Sequence, residues 1–128
     1  MKKNLFIIDD ESDIVELTKF ILEDAGFQVI TGGTAEECLI ILEHEIPDLI
    51  LLDLFLPKMQ GWELSKKLKS DDRYKNIPII IFTANAGINK KTVEEMGGDD
   101  FIIKPFEQDT LLEKVNNLVN KTSNTKLS

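Results

Sequence analysis

Asp9, Asp10 and Glu11 stand in one run directly behind the strand-like segment Asn4–Ile8, and Asp53 interrupts the most apolar stretch of the chain, Leu49 to Leu56. Carboxylates at the ends of neighbouring strands crowd together, because adjacent strands lie about 4.8 Å apart. At an effective dielectric near 20, each carboxylate pair about 4 Å apart costs on the order of 4 kcal/mol. A divalent cation with oxygen ligands offsets that repulsion, and Mg²⁺ suits a site with few carboxylates and several waters. For Asp9 and Asp10, a cation site and an acidic helix start weigh evenly. Asp53 breaks the tie, since a charge between Leu52 and Leu54 has no cheap structural explanation. Glu11 and Asp13 read instead as carboxylates that complement the positive end of a helix dipole. An EF-hand loop over Asp9, Glu11 and Asp13 is disfavoured by Ile14, which stands where that loop needs glycine.

Thr83 and Lys104 close two further strand-like runs, adding a hydroxyl and an ammonium. Singly they read as a helix cap and a solvated lysine. Together with the acids they make four polar strand ends meeting at one crevice.

The elements that must position these groups alternate. Strands are expected at Asn4–Ile8, Phe27–Ile30, Asp48–Leu52, Ile79–Phe82 and Asp100–Ile103; "DLILL" and "IIIF" are apolar at consecutive positions, as in strands buried on both faces. Helical periods lie between them. The first carries Ile14, Leu17, Ile21 and Leu22 inward and closes at Gly26. The second spans about Ala35–His44, opened by Thr34 and Glu37 at capping-box spacing, with Ala35, Cys38, Leu39 and Leu42 inward. A short third covers about Trp62–Lys69. The fourth, about Asn89–Met96, has only Ile88, Val93 and Met96 as anchors. The fifth, about Glu107–Val119, shows a stripe of Leu111, Leu112, Val115, Leu118 and Val119. This (βα)5 pattern predicts a doubly wound α/β fold, a five-stranded parallel sheet in the order 2-1-3-4-5 with its crevice outside the carboxyl ends of strands 1 and 3.

The chain has 128 residues, enough for one domain that buries about two thirds of its unfolded surface. Its net charge of −8, pI near 4.6 and single arginine, Arg73, leave no basic stripe for a phosphate backbone, which argues against direct nucleic-acid binding. The acidity is uneven: residues 1–64 hold 14 acidic and 4 basic side chains, residues 65–128 hold 9 and 11. No apolar run approaches the roughly 20 residues of a membrane span, and Met1-Lys2-Lys3 leads into a run too brief for a signal peptide. Cys38, alone, reads as a packed thiol, consistent with a reducing cytoplasm. His44 reads as solvated, Trp62 as packing and Gly32-Gly33 as a turn. The tail 121–128, "KTSNTKLS", lacks periodicity and reads as disordered or as the start of a linker.

Over residues 3–120 the sequence resembles the CheY-like receiver domain of two-component response regulators. The matching motifs are "IIDDE", "LLDLFLPKMQG" with Asp53, Pro57 and Gly61, "IIIFTA" with Thr83 and Ala84, and "FIIKPF" with Phe101, Lys104 and Pro105. The resemblance implies that Asp53 accepts a phosphoryl group from the phosphohistidine of a sensor histidine kinase or phosphotransfer protein. It implies Mg²⁺ on Asp10, Asp53 and the Phe55 carbonyl, with Asp9 acting through water, and Lys104 and Thr83 on the phosphoryl oxygens. It also implies a cis Lys104–Pro105 bond, and a switch in which Thr83 and Phe101 move to change the surface of the fourth helix, fifth strand and fifth helix for a downstream effector. The resemblance further implies that Phe55 and Asn85 flank the path of the hydrolytic water, and the bulky Phe55 is expected to slow hydrolysis. A monomer or a phosphorylation-dependent dimer is consistent with such a switch.

The resemblance implies a phosphoacceptor that assists its own Mg²⁺-dependent phosphorylation and dephosphorylation rather than an enzyme. A haloacid-dehalogenase-like hydrolase needs a second Asp where Phe55 stands, and "DDESD" would repel the phosphate of a flavin carrier. A receiver-like interaction module that is never phosphorylated is the nearest rival, but such modules usually lose an acidic or Lys position and this chain keeps all of them. The Met1 start points away from an internal position in a hybrid kinase, and 128 residues leave no room for an output domain.

Overall fold

The structure, a computed structural model, describes the backbone of residues 2–127 and the side chains of residues 2–120; the expectation for the tail 121–128 falls beyond the described side chains. Elements follow in strict alternation: β1 (Asn4–Ile8), α1 (Ser12–Asp24), β2 (Gln28–Gly32), α2 (Ala35–His44), β3 (Leu49–Asp53), α3 (Gly61–Lys69), β4 (Ile79–Thr83), α4 (Lys90–Glu95), β5 (Asp100–Ile103) and α5 (Gln108–Leu127). The five strands form one parallel sheet in the order β2-β1-β3-β4-β5, as the alternation predicts.

The consecutive apolar residues of the strands divide between two cores. Phe6, Ile8, Ile50, Leu52, Ile79 and Ile81 pack with Ala35, Cys38, Leu42, Leu64, Leu68 and Val93 from α2, α3 and α4. Leu5, Ile7, Leu49, Leu51, Ile80 and Phe82 pack with Ile21, Leu22, Leu111, Val115 and Val119 from α1 and α5. Period-2 side-chain alternation thus feeds both faces, which is why β3 and β4 carry no polar residue before their last position. Cys38 is fully buried, and burial pushes its thiol up to about 12.

Several local expectations need correction. β2 starts and ends later than the pattern suggested, at Gln28 and Gly32, because pairing with Asn4–Ile8 of β1 sets its register. Leu17 is 50% exposed, and Thr18 takes the inward position beside Ile21 and Leu22. The Thr18 hydroxyl donates to the Ile14 carbonyl at 2.6 Å, so the helix itself satisfies the buried oxygen. Thr34 caps α2 by accepting from the Glu37 amide at 3.1 Å, but the Glu37 carboxylate accepts from Gly33 N–H at 2.6 Å, one residue before the cap. Trp62 is 40% exposed, with the Lys66 ammonium 5.6 Å from its ring, because the first turn of α3 faces solvent there. His44 is exposed. Val93 is the one buried apolar residue of α4, with Ile88 buried just before the helix and Met96 partly buried just after it, and the helix start is capped by Asn89, whose side chain accepts from Thr92 N–H at 2.9 Å.

Candidate functional site

Strand register brings the polar strand ends together. Ile8 pairs with Leu52, Asp53 with Phe82 and Thr83 with Ile103, so Asp9, Asp53, Thr83 and Lys104 fall at the same edge of the sheet. Asp9 is anchored there by its N–H, which donates to the Gly32 carbonyl at 3.0 Å. Asp9, Asp10 and Asp53 each present a carboxylate oxygen within 4.8 Å of the others; Asp9 and Asp53 are buried and Asp10 is exposed. Three carboxylates with no thiol or imidazole form a donor set for a hard cation, and Asp10 provides the side open to water.

Lys104 bridges the acids. Its Nζ lies 2.6 Å from Asp9 Oδ2, 3.0 Å from Glu11 Oε1 and 3.5 Å from Asp53 Oδ2, with only 6% of the side chain exposed. The ammonium also sits 5.0 Å from the Phe82 ring, a favourable cation–π position. Burial lowers the lysine pKa, but Asp9, Glu11 and Asp53 outweigh it and hold the group above its ordinary value. Asp53 moves the other way for a carboxyl: burial first, then the Asp9 charge, push it up to about 6, against the pull of Lys104 and the Phe55 N–H. A carboxylate that is costly to ionise is one a cation would relieve.

The loop behind Asp53 wraps its own carboxylate. Phe55 N–H donates to Asp53 Oδ1 at 3.2 Å, while the Phe55 ring points outward and is exposed. Gly61 N–H donates to the Leu54 carbonyl at 2.8 Å and brings the start of α3 against the backbone of Asp53. A side chain at Gly61 would place its Cβ 1.8 Å from the Asp53 carbonyl oxygen, so the close approach requires glycine.

Other candidate residues lie at the margin. The Thr83 hydroxyl is buried and accepts from Asn85 N–H at 3.1 Å, closing the turn in which Ala84 is exposed. Asn85 closes the next turn by accepting from Gly87 N–H at 3.0 Å. Phe101 pairs with Ile81, two residues below the strand end, and lies outside the acid cluster, half-buried under the Lys114 ammonium 4.8 Å from its ring. The Lys104–Pro105 peptide is cis. Glu11 stands at the N-cap position of α1, as the helix-dipole reading expects, but it makes no cap bond and its carboxylate also reaches Lys104. Its place directly after Asp10 was the available signal, but an acid there fits a helix start equally well.

A strand-end aspartate flanked by two acids and a lysine on a 2-1-3-4-5 sheet matches the response regulator receiver domain, whose family model covers residues 5–116. The chain belongs to this family. Like other receivers of two-component systems, it is a signalling domain and not an enzyme in the usual sense. The probable transcriptional regulator ycf27 of Cyanophora paradoxa is 34% identical over 128 residues, covering 99% of this receiver and 52% of its own length. The alkaline phosphatase synthesis transcriptional regulatory protein PhoP of Bacillus subtilis (strain 168) is 41% identical over 107 residues, or 83% of this chain and 44% of its own. The crystal structure of a CheY-like response regulator receiver domain protein from Methanospirillum hungatei JF-1 superposes with a TM-score of 0.88 at 32% identity, covering 98% of this chain and 99% of that one. The receiver spans about half the length of the curated relatives it matches. No helix among the described residues is long and apolar enough to cross a membrane.

Proposed function

We propose that residues 3–120 form a phosphorylation-operated switch in which Asp53 is the phosphoacceptor. The observation that carries this reading is the setting of Asp53: buried at the end of the central strand, with the Lys104 ammonium on one oxygen and Asp9 and Asp10 within cation-sharing distance. Phosphoryl transfer asks a protein mainly for positioning and charge neutralisation. An Asp53 oxygen attacks phosphorus, the phosphorus–nitrogen bond of a donor phosphohistidine breaks, and its electron pair returns to the donor imidazole. The donor is a sensor histidine kinase or phosphotransfer protein.

Asp10, Asp53 and the Phe55 carbonyl would hold Mg²⁺ directly, with Asp9 acting through water. When bound, the ion supplies the positive charge that lets Asp53 stay ionised and meet an anionic phosphoryl group. Lys104 takes one phosphoryl oxygen, and Thr83 with the Ala84 backbone takes others once the hydroxyl leaves Asn85. The new group adds roughly 1.5 to 2 negative charges. Movement of Thr83 and Phe101 then changes the α4-β5-α5 surface read by an effector domain or protein, and the few anchors of α4 leave that helix free to respond. The same residues assist Mg²⁺-dependent loss of the phosphoryl group, with Phe55 and Asn85 flanking the path of water.

Incubation with acetyl phosphate and Mg²⁺, followed by intact mass spectrometry, tests the assignment. Wild type is expected to gain one phosphoryl mass and Asp53→Asn none. No gain in wild type, or an equal gain in the variant, refutes it.

A further inference from the structure

Glu11 stands in the N-cap position of α1, where a carboxylate would ordinarily accept an N–H from the first turn, yet it makes no cap bond. Its Oε1 accepts from Lys104 Nζ at 3.0 Å instead. The Glu11 backbone is pinned for this reach, because its N–H donates to Asp9 Oδ1 at 3.0 Å.

An ammonium has three protons. Those of Lys104 face Asp9, Glu11 and Asp53, and the longest of the three contacts, 3.5 Å, is the one to the acceptor. A phosphoryl oxygen on Asp53 that draws Lys104 closer must therefore compete with the two shorter contacts, those to Asp9 and Glu11. Asp9 is buried, and releasing it would leave a charge unpaired out of water. Glu11 is 57% exposed and rehydrates when released, so its contact is the one that opens at little cost.

We propose that Glu11 is a positioning residue that withholds Lys104 from Asp53 in the resting protein and yields it when a phosphoryl group arrives. Glu11 thereby sets the rate at which Asp53 is loaded. This rests on Asp53 being the phosphoacceptor.

The test compares wild type, Glu11→Gln and Glu11→Ala at saturating Mg²⁺. Breaking an exposed ion pair of this kind corresponds to a change on the order of two- to fivefold. Glu11→Ala is expected to take up the phosphoryl group from acetyl phosphate two to five times faster, with Glu11→Gln in between because its neutral amide oxygen is a weaker acceptor. A purely structural role would lower the melting temperature and slow loading, whereas here the melting temperature stays and loading speeds up. Unchanged or slower loading in Glu11→Ala overturns the proposal. The ¹⁵N resonance of the Lys104 ammonium separates this question from phosphorylation. Its protons are expected to exchange with water faster in Glu11→Ala, and unchanged exchange overturns the proposal even in a protein that accepts no phosphoryl group.

Discussion

Gly61→Ala sets two physical effects against each other. Gly61 is the first residue of α3, where helix propensity alone predicts that alanine stabilises by about 1 kcal/mol. The structure predicts the opposite. The new Cβ would lie 1.8 Å from the Asp53 carbonyl oxygen, 2.8 Å from the Asp53 carbonyl carbon and 3.0 Å from Leu54 Cα. The first contact is about 1.2 Å short of the nearest approach that real Cβ atoms show. Its partner is backbone at the buried end of the central strand, not the tip of a flexible side chain, so relief requires the strand end or α3 to move. Overpacking of this kind costs about 3 kcal/mol, the upper part of its usual range. The net expectation is a loss of about 2 kcal/mol in urea unfolding, or roughly 8 °C in melting temperature for a domain of this size. Any shift that admits the methyl group also moves Asp53 relative to Lys104, so phosphoryl uptake from acetyl phosphate should fall as well. An alanine variant at least as stable as wild type would show that the approach of α3 to Asp53 is not tight and refute the steric argument.

Two further outcomes follow from the same site. With Asp53 pushed up to about 6 from an ordinary 3.8, the folded state resists its ionisation. Below the ordinary value both states are protonated and nothing is lost; stability falls as pH rises from about 4 to 6, and above that the full cost of roughly 3 kcal/mol persists. In a chelator, Asp53→Asn should therefore be more stable than wild type by up to about 3 kcal/mol at pH 7.5, with the gap closing toward pH 4; a gap independent of pH contradicts the assignment. For Phe55→Asn, replacing the exposed ring beside the acceptor with an amide that can orient water should speed dephosphorylation of the phosphoprotein severalfold, and an unchanged decay rate would remove Phe55 from any shielding role.

The architecture was readable because its signals are local. Consecutive apolar residues in Leu49–Leu52 and Ile79–Phe82 can be satisfied only by burial on both faces, and the alternation with helical periods then leaves a parallel, doubly wound sheet. Errors arose where two residues could satisfy the same period. Leu17 and Thr18 both fit the first helical stripe by spacing, and hydrophobicity favoured the leucine; the packing of α1 buries Thr18 instead, whose hydroxyl the helix itself satisfies.

The chemistry divides the same way. By itself, the sequence determined that Asp9, Asp53, Thr83 and Lys104 stand at strand ends, because each polar residue ends an apolar run. Parallel strands carry all such ends to one edge. Only the tertiary structure decided which groups touch: that Lys104 lies nearest Asp9 and farthest from Asp53, that Glu11 leaves its helix to join it, and that α3 presses a glycine against the backbone of Asp53. The Lys104 contacts join residues 51 to 95 positions apart, set by strand register and side-chain reach, and no local pattern encodes them.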